Sequence, residues 1–317
     1  GRIRVHSTTA TTMCRQLLPI IVCLYLWTTL SVDATSDAES RIVGGNNATF
    51  YVCSHTVAIR QVNRDFLCNG VLISSRDVLT AASCVSSVRN ESDLVVVAGT
   101  IGNSVTAPGA IPLSVSKLWS TTSNPSRTGD IALLRLNATL ITGGAPWISV
   151  VDLGTRAPTV NQSCSLCGWG SGTISGPPAL VLQTININVQ SNTSPNCTRA
   201  AGGTVLPANA ICAGDPLQAG RGACTHDVGA PLMCNGALHG VLTVTGGCGG
   251  LHEVSVFADT AAHLAWIRNR TQTEVVVVPP NKPGGGGSGG NGPGGSAQAS
   301  VQLGMMVIAV VTAFVLR

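Results

Sequence analysis

An all-β domain of many short strands, with one helix near its end, is what this sequence predicts, and three observations carry the prediction. Five β-branched runs, VLISS, LVVVAGT, IALLRL, LVLQTININVQ and LHGVLTVTG, are bounded by Gly, Asn, Pro or Ser, which is the punctuation of strands. Charged residues make up 10% of the chain and aromatics 3%, while glycine supplies 37 of 317 residues, a balance that suits turn-rich β structure better than helices. Only residues 260–270, with Leu264, Trp266 and Ile267 among Ala and Arg, read as a helix. The body between the biased ends, about 230 residues, is long enough to bury a large core.

In chain order, residues 1–12 begin with glycine and show no periodicity, and they are read as untranslated upstream sequence before Met13. Residues 13–34 read as a secretory signal: Arg15, an apolar run from Leu17 to Leu30, then Val32, Asp33 and Ala34 as a small-residue cleavage pattern. That run is too short for a comfortable membrane span. Within the body, VLISS follows Gly70, LVVVAGT ends in Gly99 and Thr100, and IALLRL runs up to Asn137. LVLQTININVQ follows a Pro-Pro pair, and LHGVLTVTG lies between Asn235-Gly236 and Gly247. Residues 272–300 are expected to act as a Gly/Pro-rich linker, because the stretch from Pro279 to Ser300 cannot bury apolar surface. Residues 301–317 are apolar, with Ser288, Gly289 and Gly290 upstream, which is the layout of a lipid-anchor signal. A short single-span tail and a tail without function are the alternatives.

Five blocks then fall in a telling order: RIVGG from Arg41, FLCNGVLISSRDVLTAASC over 66–84, DIALLRL over 130–136, CGWG from Cys167, and CTHDVGAPLMC over 224–234. Together they resemble the chymotrypsin/trypsin superfamily of serine proteases across residues 42–271. The resemblance implies two antiparallel six-stranded β-barrels with a C-terminal helix, the crossover lying near residues 149–159. It also makes residues 35–41 an activation peptide. Cutting after Arg41 would free the amine of Ile42, which in active relatives pairs with the carboxylate matching Asp227 and orders the nucleophile loop.

Peptide hydrolysis on this fold needs a serine oxygen, an imidazole to take its proton, a carboxylate to orient the imidazole, and N–H groups aimed at the oxyanion. Asp130 matches the family's carboxylate, but Ser83 stands where the histidine belongs and Val228 where the serine belongs. A hydroxyl cannot serve as general base at neutral pH, and a hydrocarbon can neither attack nor donate. Loss of either group costs on the order of a millionfold in turnover, and the second loss adds little. His226 takes the place of an oxyanion-hole glycine. Thr243 and Thr245 lie on the substrate-pairing strand, Thr245 and Ser255 replace pocket glycines, and Gly222 falls where trypsins carry the aspartate that binds basic side chains.

The expectation is therefore an extracellular, surface-tethered homologue that binds rather than cuts. It would be an inhibitor decoy, a cascade adaptor or a substrate-masking protein, with a protease, an inhibitor or a cascade component as partner. An active endopeptidase, with Ser83 as nucleophile and His226 as base, is one alternative. A cationic antimicrobial or glycosaminoglycan-binding homologue is the other, and the net charge of +4 gives it little support. With no basic block longer than two residues, nucleic acid is excluded as a partner. No cofactor is expected, and His239, His252 and His263 have no metal-ligand spacing.

Twelve cysteines are present, and Cys14 and Cys23 fall in the signal, leaving ten in an oxidising compartment. The resemblance implies Cys68 with Cys84, Cys164 with Cys234, Cys197 with Cys212, and Cys224 with Cys248. Cys53 and Cys167 are left over, and arithmetic favours a fifth bridge between them against two buried thiols. Sequons at Asn47, Asn90, Asn137, Asn161, Asn192, Asn196 and Asn269 fit a secreted surface, although Cys197 lies inside that of Asn196.

Overall fold

The computed structural model describes residues 42–62, 66–121, 129–140 and 147–271. The expectations for the leader, the activation peptide with Arg41, the linker and the tail lie outside the described residues. β1 (Asn46–Asn47) opens the body. The first closed barrel runs β2 (Thr56–Gln61), β3 (Phe66–Leu72), β4 (Asp77–Thr80), β7 (Ala132–Leu136), β6 (Ile111–Ser120) and β5 (Leu94–Ala98), and then returns to β2. Its neighbours are antiparallel throughout, and Val57, Ile59, Val71, Leu79, Val96 and Leu134 fill it with no exposed surface. Closure leaves no unpaired strand edge.

The second barrel closes the same way. β9 (Ser163–Gly168) pairs with β10 (Gln183–Gln190), which leads through β11 (Ala210–Ala213), β14 (Ser255–Asp259), β13 (Ala237–Thr245) and β12 (Pro231–Cys234) back to β9. β10 shows why the sequence folds so: in QTININVQ, Ile185, Ile187 and Val189 point inward while Asn186 and Asn188 are exposed, the two-residue period of a half-buried strand. Asn235 and Gly236 adopt φ of 51° and 79°, the left-handed pair that a two-residue hairpin between β12 and β13 demands. β1 extends this sheet beside β10, and β8 (Asp152–Leu153), inside the expected crossover, runs parallel to β13.

Helices are few and short among the described residues. α1 (Ala82–Val85) follows β4, and α2 (Pro195–Ala200) starts at Ser194, whose side chain accepts from the Cys197 N–H. The helix expected over 260–270 is shorter, α3 being Leu264–Arg268. Thr260 Oγ1 donates to the Leu238 carbonyl and Asp259 Oδ1 accepts the Ala261 N–H, which holds the preceding turn on the barrel rather than in a helix. α3 packs Ile267, Leu264 and Trp266 on the first barrel. Arg135, ion-paired at 2.8 Å with buried Asp77, also donates to the Arg270 carbonyl just beyond it.

Among the described residues five disulfides are formed: Cys53–Cys167, Cys68–Cys84, Cys164–Cys234, Cys197–Cys212 and Cys224–Cys248. Ten half-cystines in one domain place it in an oxidising, extracellular setting.

Candidate functional site

Residues from both barrels meet where α1, the start of β7 and the 224–230 loop converge. α1 carries Ser83 outward, and Asp130, 5% exposed, sits beside it at the mouth of β7. The Ser83 N–H donates to Asp130 Oδ1 at 2.6 Å and the Ser83 hydroxyl donates to Oδ2 at 2.8 Å. One short residue thus engages both carboxylate oxygens. The single hydroxyl proton of Ser83 points at the Asp130 carboxylate, which fixes the hydroxyl as a donor to Asp130.

The 224–230 loop is built around Asp227, which is wholly buried. Its Oδ1 accepts the Gly170 N–H at 2.8 Å and its Oδ2 the Cys224 N–H at 2.9 Å. Burial pushes its carboxyl up to about 7, and the two N–H bonds only partly oppose that. Gly170 is required here, since a Cβ on it would fall 2.0 Å from the carboxylate. His226 has a φ of 69°, left-handed backbone that a side-chain-bearing residue seldom adopts, and its exposed ring meets Phe66 edge-on at 6.5 Å. Val228, half-buried, packs its methyls against the first-barrel core.

Asn69, in the middle of β3, was not singled out by the sequence reading, yet it ties the site together. It is wholly buried. Its Nδ2 donates to the carbonyls of His226 (2.8 Å) and Val228 (3.2 Å), its Oδ1 accepts the Trp169 N–H at 3.0 Å, and its own N–H donates to Val228 O. An amide inside the apolar run FLCNGVLI was the available signal, because a buried polar group in a strand must find partners.

Ile42 is completely buried in the second-barrel core with Leu166, Ile185 and Leu232. Next to it, Val43 bridges to Gly222, whose N–H donates to the Val43 carbonyl at 3.1 Å. Gly222 and Ser255 line a cavity of only about 10 Å³ with Ala223, Gly246, Gly247 and Glu253. That is about the minimum that one water requires. Thr243 Oγ1 donates to the Val256 carbonyl at 3.0 Å, and Thr245 pairs in register with Ser255. Glu253, which the sequence reading passed over, folds back so that its carboxylate accepts the Gly250 N–H at 2.6 Å and crowds Gly247.

The remaining histidines are dispersed. His239 lies on β13 with Nδ1 3.1 Å from the Arg156 carbonyl, and burial lowers its pKa. His263 faces the Asp259 carbonyl at 2.7 Å and His252 is exposed. No group of three His, Cys, Asp or Glu able to hold a metal occurs among the described residues.

Two closed six-stranded antiparallel barrels, joined by a crossover and meeting at an aspartate and a disulfide-bound loop, define a chymotrypsin-like serine protease fold. The family model described as Trypsin matches residues 42–267, so the chain belongs to the trypsin family. It is similar to tonin of Rattus norvegicus, 32% identical over an alignment of 258 residues that covers 75% of this chain and 92% of tonin. It is also similar to trypsin I-P1 of Gallus gallus, 29% identical over 255 residues, 78% of this chain and 96% of that trypsin. Among solved structures it resembles neuropsin, a serine protease expressed in the limbic system of mouse brain. The TM-score is 0.61 at 26% identity, covering 71% of this chain and 97% of neuropsin.

Proposed function

We propose that this trypsin-family chain is a non-catalytic binding or regulatory protein of the extracellular space. The observation that carries the reading is the closed pair at Asp130: both carboxylate oxygens are engaged by Ser83, while the nucleophile position presents the methyls of Val228. The small size of the cavity beside Gly222 and Ser255, about 10 Å³, supports it. So does His226, whose side chain stands where active relatives keep a glycine.

The partner we infer is a protein, whether a protease, an inhibitor or a cascade component, met on the surface that substrates use in active relatives. Residues 301–317 would tether the chain through a lipid anchor or a membrane tail, with 272–300 as spacer. Exposed Asn47, Asn90, Asn137, Asn161 and Asn269 are the sequons we expect to carry glycan. Asn192 is set apart, because its side-chain amide donates to the carbonyls of Pro207 and Ala210.

The test is a turnover assay on the Arg41-cleaved, secreted chain across a broad peptide library, beside the double reversion Ser83→His with Val228→Ser. Silence in the parent, with phosphonate labelling restored in the revertant, supports the proposal. Turnover in the parent that persists through purification and through His226→Ala would overturn it.

A further inference from the structure

A second cleft lies away from the site just described and shares none of its residues. It occupies about 470 Å³, within the range of roughly 300–1,000 Å³ typical of small-ligand pockets, where the segment leading into β2 meets β9, β10 and the β12–β13 turn. Ser54 and Ser149 join its two flanking segments, their hydroxyls 2.7 Å apart and the Ser149 N–H donating to the Ser54 carbonyl. Its walls carry Ser163, Ser165, Asn186 and Asn235, and no Asp, Glu, Lys or Arg is among the described residues that line it.

His55 gives the cleft a recognition group. The residue is 7% exposed and lines the cleft, and its Nε2 has no hydrogen-bond partner among the described residues. A buried ring nitrogen left unpartnered costs free energy that a ligand can recover. Burial lowers its pKa to about 4, so at neutral pH the ring is uncharged and offers one donor and one acceptor. At the rim, Tyr51 is 68% exposed and lines the cleft with Val52 and Val150. Among the described residues few aromatics are so exposed; Phe50, Tyr51 and Trp147 all lie on the two segments that Ser54 and Ser149 join.

These features narrow the chemistry of the occupant. An extended peptide adding as a strand is disfavoured, because β9 pairs with β10 over its whole length and β12 lies between β9 and β13. The absence of charge disfavours anions and cations alike. What the walls do supply is hydroxyls, carboxamides and a neutral imidazole around a void, with an exposed phenol ring beside it. That set matches a polyhydroxylated, uncharged molecule with one apolar face, which the Tyr51 ring can cover. We propose that this cleft binds a neutral oligosaccharide, with Tyr51 as platform and His55 Nε2 as the buried polar contact. The proposal stands apart from the functional reading above, since an active or inactive catalytic site leaves the cleft unchanged.

The test is calorimetric titration of the secreted full chain, with its own N-glycans removed enzymatically, against N-acetyllactosamine, chitotriose, maltotriose and mannotriose. A heparin disaccharide serves as the charged comparison. At least one neutral saccharide is expected to bind, and Tyr51→Ala and His55→Phe are each expected to weaken it tenfold or more with circular dichroism unchanged. Should His55→Phe fail to fold, exposed Tyr51→Ala carries the test alone. Binding by none of the four, binding untouched by Tyr51→Ala, or equal binding of the heparin disaccharide would overturn the proposal.

Discussion

Asp227 and His55 make opposite demands as pH changes, and Asp227→Asn in the uncleaved chain separates them. Burial holds the Asp227 carboxyl up at about 7 against 3.8 for an unperturbed aspartate. Between those values the native state keeps a proton that the unfolded chain has released, so stability falls as pH rises, by about 1.4 kcal/mol per pH unit and about 4 kcal/mol in all. His55 runs the other way. Its pKa is lowered to about 4 from 6.5, so between those values the unfolded chain holds the extra proton and stability rises with pH at the same rate, about 3 kcal/mol in all. From about pH 4 to 6.5 the two slopes cancel in the parent. Asp227→Asn removes the falling one. Urea unfolding followed by tryptophan fluorescence, with disulfides kept oxidised, should show the variant gaining on the parent by about 3 kcal/mol between pH 4.5 and 6.5. Asp259, raised, and His239, lowered, drop out of that difference because both chains carry them. A parent-to-variant difference that does not change with pH would refute the reasoning. In the Arg41-cleaved chain an ammonium paired with Asp227 would pull its pKa down, and the difference is expected to flatten.

Three further outcomes are expected. Asn69→Ala strands the carbonyl of His226 and the N–H of Trp169, while the backbone N–H at 69 still serves Val228 O, and should cost about 3 kcal/mol in chemical denaturation, with faster hydrogen exchange across 224–230. Replacing Cys53 and Cys167 together by Ala opens a loop of sequence separation 114 and should lower stability by up to about 5 kcal/mol on the chain-entropy model, read from the urea midpoint. In the Ser83→His, Val228→Ser background, Glu253→Ala should clear the carboxylate from Gly247 and raise kcat/KM about tenfold, equivalent to about 1.4 kcal/mol.

Much of the fold was legible because its strands write their burial into the sequence. β5, β7 and β10 fall inside the β-branched runs and β13 all but coincides with one, since each buries apolar side chains against a barrel interior. β6 was not legible: IPLSVSKLWS is mostly exposed and holds its place through pairing with β5 and β7, which leaves no periodic trace. α3 was read too long because hydrogen bonds from Thr260 and Asp259 to distant or turn partners decide where it starts. At the site, Ser83 and Val228 stood out through resemblance alone. Asn69, Glu253 and His55 did not, because their roles depend on which distant backbone groups or voids they meet.

Four of the five disulfides close within one half of the molecule, Cys68–Cys84 in the first barrel and three in the second. Cys53–Cys167 alone spans the halves. A protease that severs the backbone anywhere between Cys84 and Cys164 therefore produces two pieces that cannot diffuse apart while that bond is oxidised. They would run as one band on a gel without reductant and as two with it. Such a nick leaves the two halves covalently joined, and reduction of that one bond leaves them held by non-covalent contacts alone.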